Sequence, residues 1–212
     1  MKTMQEWWRD LKEHGAVWQH PGNCQAPHVV LRSGKHSDGF IDTLQFLSVV
    51  VNLNLAAHAL SEQVRRELTS QRIDWVFGSP MAGIPLATAA APFLGAGRVG
   101  FTEKKGDKEL ICRFEIPPSA RVLLIEEMTT TGGTPQRGID AILAKNPDAE
   151  VIPLVGAFLT RCGTRSKELH SAELVPVVDF LGVYWNQIVA ELREWSKMMA
   201  LVKALNNEFV LA

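Results

Sequence analysis

Apolar positions along this chain fall into two alternating rhythms, one strand-like and one helix-like. Residues 74–78, 98–101, 122–125, 151–159 and 174–180 are short apolar runs bounded by Gly, Pro or polar clusters, as expected of buried strands. Helical spacing fills the gaps. Over residues 52–72, Leu53, Ala56, Ala57, Leu60, Val64 and Leu68 share one side of a helix. Residues 84–94 read as an apolar helix. Ile139, Ile142 and Leu143 mark the buried face of another, which opens with Thr134 as cap and Pro135 at its first position. A short helix over 4–14 presents Trp7, Trp8 and Leu11 on one face. Ile188, Val189, Leu192, Trp195, Met199 and Val202 form a helical stripe near the carboxyl end. Pro176 interrupts the last strand and predicts a place at a sheet edge. Before this alternation begins, residues 28–31 and 40–41 read as a hairpin across the polar turn 32–39, standing like a lid over the sheet.

This order predicts an α/β fold: an open, mostly parallel sheet with helices on both faces, plus a small amino-terminal hood hairpin. Residues 1–212 read as one domain, with 1–50 contributing the first helix and the hood. The net charge of −1 argues against nucleic-acid or membrane partners recruited by bulk electrostatics. Cys24, Cys112 and Cys162 are odd in number and lack paired spacing, and the six histidines show no ligand spacing, so neither disulfides nor a protein-held metal is expected. The charged, aromatic first segment is no signal sequence, and no apolar run is long enough to cross a bilayer. A cytoplasmic protein is the expectation.

The chemistry concentrates where the strand 122–125 meets the following helix. Glu126 and Glu127 come first, then the loop Thr129, Thr130, Thr131, Gly132, Gly133, with Thr134 heading the helix. Glycines let backbone N–H groups converge on an anion, the helix adds the positive end of its dipole, and the hydroxyls can donate further hydrogen bonds. Carboxylates beside a phosphate site make sense if the ligand also carries sugar hydroxyls for them to accept. A sugar phosphate satisfies both halves. A second small-residue turn, Ser79-Pro-Met-Ala-Gly83, follows the strand 74–78 and repeats the geometry of an anion site. The hydrophilic span 102–109 carries Lys104, Lys105 and Lys108 and reads as a mobile basic loop, with 110–116 as the strand returning from it.

Ile125-Glu-Glu-Met-Thr-Thr-Thr-Gly-Gly-Thr134 resembles the phosphoribosyl-pyrophosphate (PRPP) motif of the type I phosphoribosyltransferases. Leu31-Arg-Ser-Gly-Lys-His-Ser-Asp-Gly-Phe40 is similar to the amino-terminal segment of the orotate branch of that family, and the short, histidine-free basic loop looks like its short-loop bacterial members. The resemblance spans roughly residues 31–180. It implies transfer of a 5-phosphoribosyl group from Mg²⁺-bound PRPP to orotate, by a homodimer acting on small molecules. It implies PRPP contacts at Thr129 to Thr134, at Ser79, Met81, Ala82 and Gly83, and at Lys108. Glu126, Glu127 and Lys104 would be the catalytic groups, and Arg32, Phe40 and Arg161 would hold the base. No metal-ligand set is implied, since the Mg²⁺ is held mainly by PRPP. Three positions depart from the family's pattern: Glu127 stands where aspartate is usual, Ala82 where some orotate enzymes carry lysine, and the loop has no histidine. The phosphate half is shared across type I enzymes, so a purine base, or a non-catalytic relative that binds PRPP or a nucleotide, are the alternatives.

Overall fold

The computed structural model describes residues 2–21, 29–30, 36–37, 39–106, 109–161 and 168–179. Helix α1 (Met4–Glu13) opens on a capping box, in which Thr3 Oγ1 accepts from the Glu6 N–H at 3.3 Å and the Glu6 carboxylate accepts from the Thr3 N–H at 2.7 Å. Trp7 of α1 packs edge-on against Phe46 and Phe158, whose rings stack at 5.8 Å. These three buried rings pin the amino-terminal helix to the sheet.

Four short strands follow: β1 (Val17–Gln19), β2 (Val29–Val30), β3 (His36–Ser37) and β4 (Gly39–Ile41). The expected pairing of 28–31 with 40–41 is not what forms. β4 pairs antiparallel with β1, a strand the sequence did not predict, while β2 pairs with β3. The reason is burial: opposite Ile41, which belongs to the core, stands Val17, packed against the same core.

The main body runs α2 (Thr43–Leu47), α3 (Val50–Leu68), β5 (Trp75–Gly78), α4 (Gly83–Ala90), β6 (Arg98–Lys105), β7 (Glu109–Cys112), β8 (Arg121–Thr129), α5 (Gly133–Lys145), β9 (Glu150–Thr160) and β10 (Glu173–Asp179). The sheet order is β10-β9-β8-β5-β6-β7, parallel except for β7. Pro176 lies in the edge strand β10, as its missing N–H requires.

Alternation along β8 sends Leu123 and Ile125 to the core beneath α1–α4, and Val122 and Leu124 to the core beneath α5. Helices therefore cover both faces. From β5 the chain crosses by α4 to β6; from β8 it crosses by α5 to β9, in the opposite direction and on the opposite face. β5 and β8 are neighbours, so a topological switch point opens between their carboxyl ends, where open α/β sheets bind ligands.

Several boundaries differ from expectation. The helix expected over 52–72 is α3, ending at Leu68, where Thr69 turns left-handed at φ 40°. The helix expected over 84–94 is α4, followed by turns. Leu143 is exposed; Ile139, Ala141 and Ile142 are the buried aliphatic positions of α5. The stripe from Ile188 to Val202 lies outside the described residues.

Candidate active site

The acid pair is built into β8, not placed after it. That strand runs on to Thr129 because β9 keeps pairing with it, Glu126 opposite Ala157 and Thr129 opposite Thr160. Glu126 is 2% exposed; its Oε1 accepts from the Glu127 N–H at 3.1 Å, while Oε2 is buried without a hydrogen-bond partner. Burial pushes the Glu126 carboxyl well above the ordinary carboxylate range, and the neighbouring Glu127 charge pushes it further. The Ser79 hydroxyl faces it and opposes the rise, although neither Ser79 Oγ nor Glu126 Oε2 closes a hydrogen bond of normal geometry. Burial also raises Glu127, against a hydrogen bond from Thr43 Oγ1 to Glu127 Oε1 at 2.6 Å. A buried acceptor with nothing to accept from is a place for a ligand hydroxyl.

Across the switch point, the Ser79 N–H donates to the Ile125 carbonyl at 2.9 Å, which holds the turn after β5 against the strand that carries the acids. The Pro80–Met81 peptide bond is cis. Met81 is exposed, whereas Ala82 and Gly83 are buried at the start of α4.

The loop after β8 is shaped by its own backbone. Gly132 takes φ 80°, a conformation open to glycine, and so acts as the helix cap in place of the expected Thr134. Helix α5 consequently begins at Gly133, and Pro135 sits third, still within the turn whose N–H groups have no intrahelical acceptor. This leaves the N–H groups of Gly133 and Thr134 at the positive end of the helix. Thr129 Oγ1 accepts from the Gly132 N–H at 3.0 Å and fixes the bend. Thr130 and Thr131 are exposed at its tip.

Two backbone bonds tie the next crossover to this loop: Arg161 N–H to the Thr129 carbonyl and Glu168 N–H to the Thr131 carbonyl, both 2.9 Å. Arg161 therefore stands beside the loop. Gln136, buried in α5, completes the clamp. Its Oε1 accepts from the N–H groups of His170 and Ser171, and its Nε2 donates to Ser171 Oγ at 2.8 Å. Neither Gln136 nor Thr43 was singled out from sequence, because each acts on a segment distant in the chain.

The basic span is a hairpin rather than a loop. Thr102 to Lys105 continue β6 and pair with β7, Lys104 opposite Leu110. Phe101 is level with Gly78, so this ribbon runs about 10 Å or more past the carboxyl end of β5. Glu103 pairs with Arg113 and Lys105 with Glu109, and Lys104 is exposed with no ion pair among the described residues. Phe40 is also largely exposed, 44%, and so does not belong to the core. Arg32 and Lys108 lie outside the described residues.

No group of three His, Cys, Asp or Glu among the described residues has the geometry to hold a metal ion. No described helix is long and apolar enough to cross a membrane.

The chain matches no family model. It is 32% identical over 155 residues to the orotate phosphoribosyltransferase of Pyrococcus abyssi, covering 71% of this chain and 82% of that one. It is 29% identical over 152 residues to the orotate phosphoribosyltransferase of Thermus thermophilus, covering 71% and 79%. Among solved structures, orotate phosphoribosyltransferase from Aeropyrum pernix superposes with a TM-score of 0.62 at 21% identity, covering 84% of this chain and 97% of that one, a likeness of fold.

Proposed function

The chain belongs to the orotate phosphoribosyltransferase family, and from that membership we propose that it transfers the 5-phosphoribosyl group of PRPP to orotate, giving orotidine 5′-phosphate and pyrophosphate. One observation carries the reading beyond kinship: a buried acid with an unpartnered oxygen, Glu126, lies in the same strand that leads into a glycine-capped helix start. Phosphate and diol are recognised by adjacent parts of one element.

In this mechanism the 5-phosphate lies against the Gly133 and Thr134 N–H groups with the hydroxyls of Thr130, Thr131 and Thr134 around it. Glu126 and Glu127 accept from the ribose hydroxyls. Pyrophosphate lies along the turn from Ser79 to Gly83, with Lys104 reaching it from the hairpin and Lys108 assigned to it by the resemblance alone. Arg161 and Arg32 meet the orotate carboxylate and carbonyls, and Phe40 offers its exposed ring to the flat base. The bond from the anomeric carbon to pyrophosphate breaks, its electron pair leaving on the pyrophosphate. A base ring nitrogen forms the new bond and sheds its proton. No protein nucleophile is needed; positioning and neutralisation of the leaving charge supply the rate.

Mg²⁺ fits this arrangement as an ion carried by the substrate. Two carboxylates with no third ligand among the described residues suit an ion bound chiefly by phosphate oxygens and water. Bound there, it would neutralise charge on the pyrophosphate. A homodimer is part of the proposal, supported by the exposed apolar side chains Leu44, Val50, Val51 and Leu55 on adjacent turns of α2 and α3.

The test is consumption of orotate with PRPP and Mg²⁺, run beside adenine, guanine, xanthine and uracil. Orotate-dependent pyrophosphate release is the expected result. Turnover of a purine without orotate would reassign the base, and tight PRPP binding with no turnover of any base would make this a binding protein.

A further inference from the structure

We propose that Thr43 is a positioning residue for sugar recognition, holding the Glu127 carboxylate through its hydroxyl and so tying the ribose site to the segment that carries Phe40. The proposal rests on the function argued above.

Thr43 Oγ1 donates to Glu127 Oε1 at 2.6 Å across 84 positions of sequence. The threonine is 1% exposed, and β-branching in a helix leaves its χ1 only two favoured rotamers, one of which holds the hydroxyl on Glu127. Its backbone is equally constrained. The Asp42 N–H donates to the Ala16 carbonyl at 2.7 Å, and Asp42 Oδ1 accepts from the Leu44 N–H at 3.1 Å, capping α2 at the residue before Thr43. Just upstream, Ile41 is paired with Val17 and Phe40 with Trp18. The hood ribbon thus delivers Thr43 to β8, with Phe40 within about 10 Å of it along the chain.

Glutamate explains why such a residue is needed. Its extra methylene gives the carboxylate one more rotatable bond than aspartate would have, and a free Glu127 could swing out of register with the ribose. With one oxygen fixed by Thr43, that rotation stops. Glu126 needs no such partner, being enclosed and anchored by the Glu127 N–H.

The experiment measures PRPP affinity by titration calorimetry with Mg²⁺, and steady-state kinetics with orotate. Thr43→Val and Thr43→Ser are made in the natural chain and in a Glu127→Ala background, which has no acceptor for the Thr43 hydroxyl, with Thr43→Ala as second variant should valine distort α2. Thr43→Val is expected to raise the PRPP Kd and KM about tenfold, the loss of one hydrogen bond to a charged group. Thr43→Ser should restore affinity to within about twofold, and Thr43→Val should add less than about twofold where Glu127 is already alanine. Unchanged affinity, an equal loss in both backgrounds, or failure of serine to rescue in a variant that melts normally would overturn the proposal. If the natural chain binds PRPP but makes no nucleotide from orotate, the enzymatic reading fails while the affinity series still decides Thr43. If it binds no PRPP, both fall.

Discussion

Gly78 and Gly83 meet at the switch point so closely that a Cβ built on Gly78 would lie 2.5 Å from the Gly83 carbonyl oxygen. The obstacle is backbone, which cannot rotate aside, and a Cβ built on Gly83 would itself lie 2.9 Å from the Ile125 carbonyl oxygen. Gly78→Ala should therefore push the 79–83 turn away from β8. The expected cost is about 1–3 kcal/mol of stability, read by urea unfolding, with a higher PRPP KM. A variant of unchanged stability and KM would show that this contact does not set the turn.

Thr131 and Lys104 should separate binding from turnover. Thr131 stands at the exposed tip of the loop; in the proposed mechanism the phosphate is bound there alike in ground state and transition state, so Thr131→Ala should raise PRPP KM about tenfold with kcat nearly unchanged. Lys104 is exposed on the β6–β7 ribbon, and in the proposed mechanism its cation acts on charge that grows as pyrophosphate leaves. Lys104→Ala should lower kcat about a hundredfold with a smaller effect on KM. The opposite split would exchange their roles.

What could be read from sequence was what neighbouring residues decide together. Val122 to Ile125, the two acids and the glycines announce strand, site and helix within one short stretch, and the parallel sheet with Pro176 at its edge follows from apolar period and proline chemistry. The cap went wrong because threonine is the commoner cap, while the backbone required a left-handed residue two positions earlier. The lysine ribbon looked like a loop because its polar residues hide an alternation that becomes visible once Thr102 is buried and β7 pairs back. Contacts such as Thr43 with Glu127 leave no local trace, since their partners meet only after folding. The five-residue α2 is too short to show a period.

Gln136 should be costly to replace. Two backbone N–H groups, of His170 and Ser171, depend on its Oε1, and a leucine of similar size would leave both without an acceptor beside α5. Gln136→Leu is expected to destabilise the protein by about 2–4 kcal/mol and to loosen the tether of the strand that follows Arg161. Hydrogen exchange at 170 and 171 should speed up before global unfolding does. Full protection at those amides would mean that something else holds them.

Glu126 makes the stability of the ligand-free protein fall as pH rises from acid to neutral. In the folded chain Glu126 is raised from the ordinary glutamate value of 4.5 to about 8, burial being the largest cause and the Glu127 charge the next. A raised carboxyl binds its proton more tightly folded than unfolded, so its contribution to stability is fully present below pH 4.5 and is lost as pH climbs towards 8. The melting temperature without ligand should fall across that window, and Glu126→Gln, which cannot ionise, should flatten the decline. PRPP with Mg²⁺ should flatten it too, because a diol and a nearby cation favour the ionised acid, and binding near pH 7 should release protons in calorimetry across buffers of different ionisation enthalpy. A melting temperature that climbs from pH 5 to 8 in the free protein would contradict the buried, protonated Glu126.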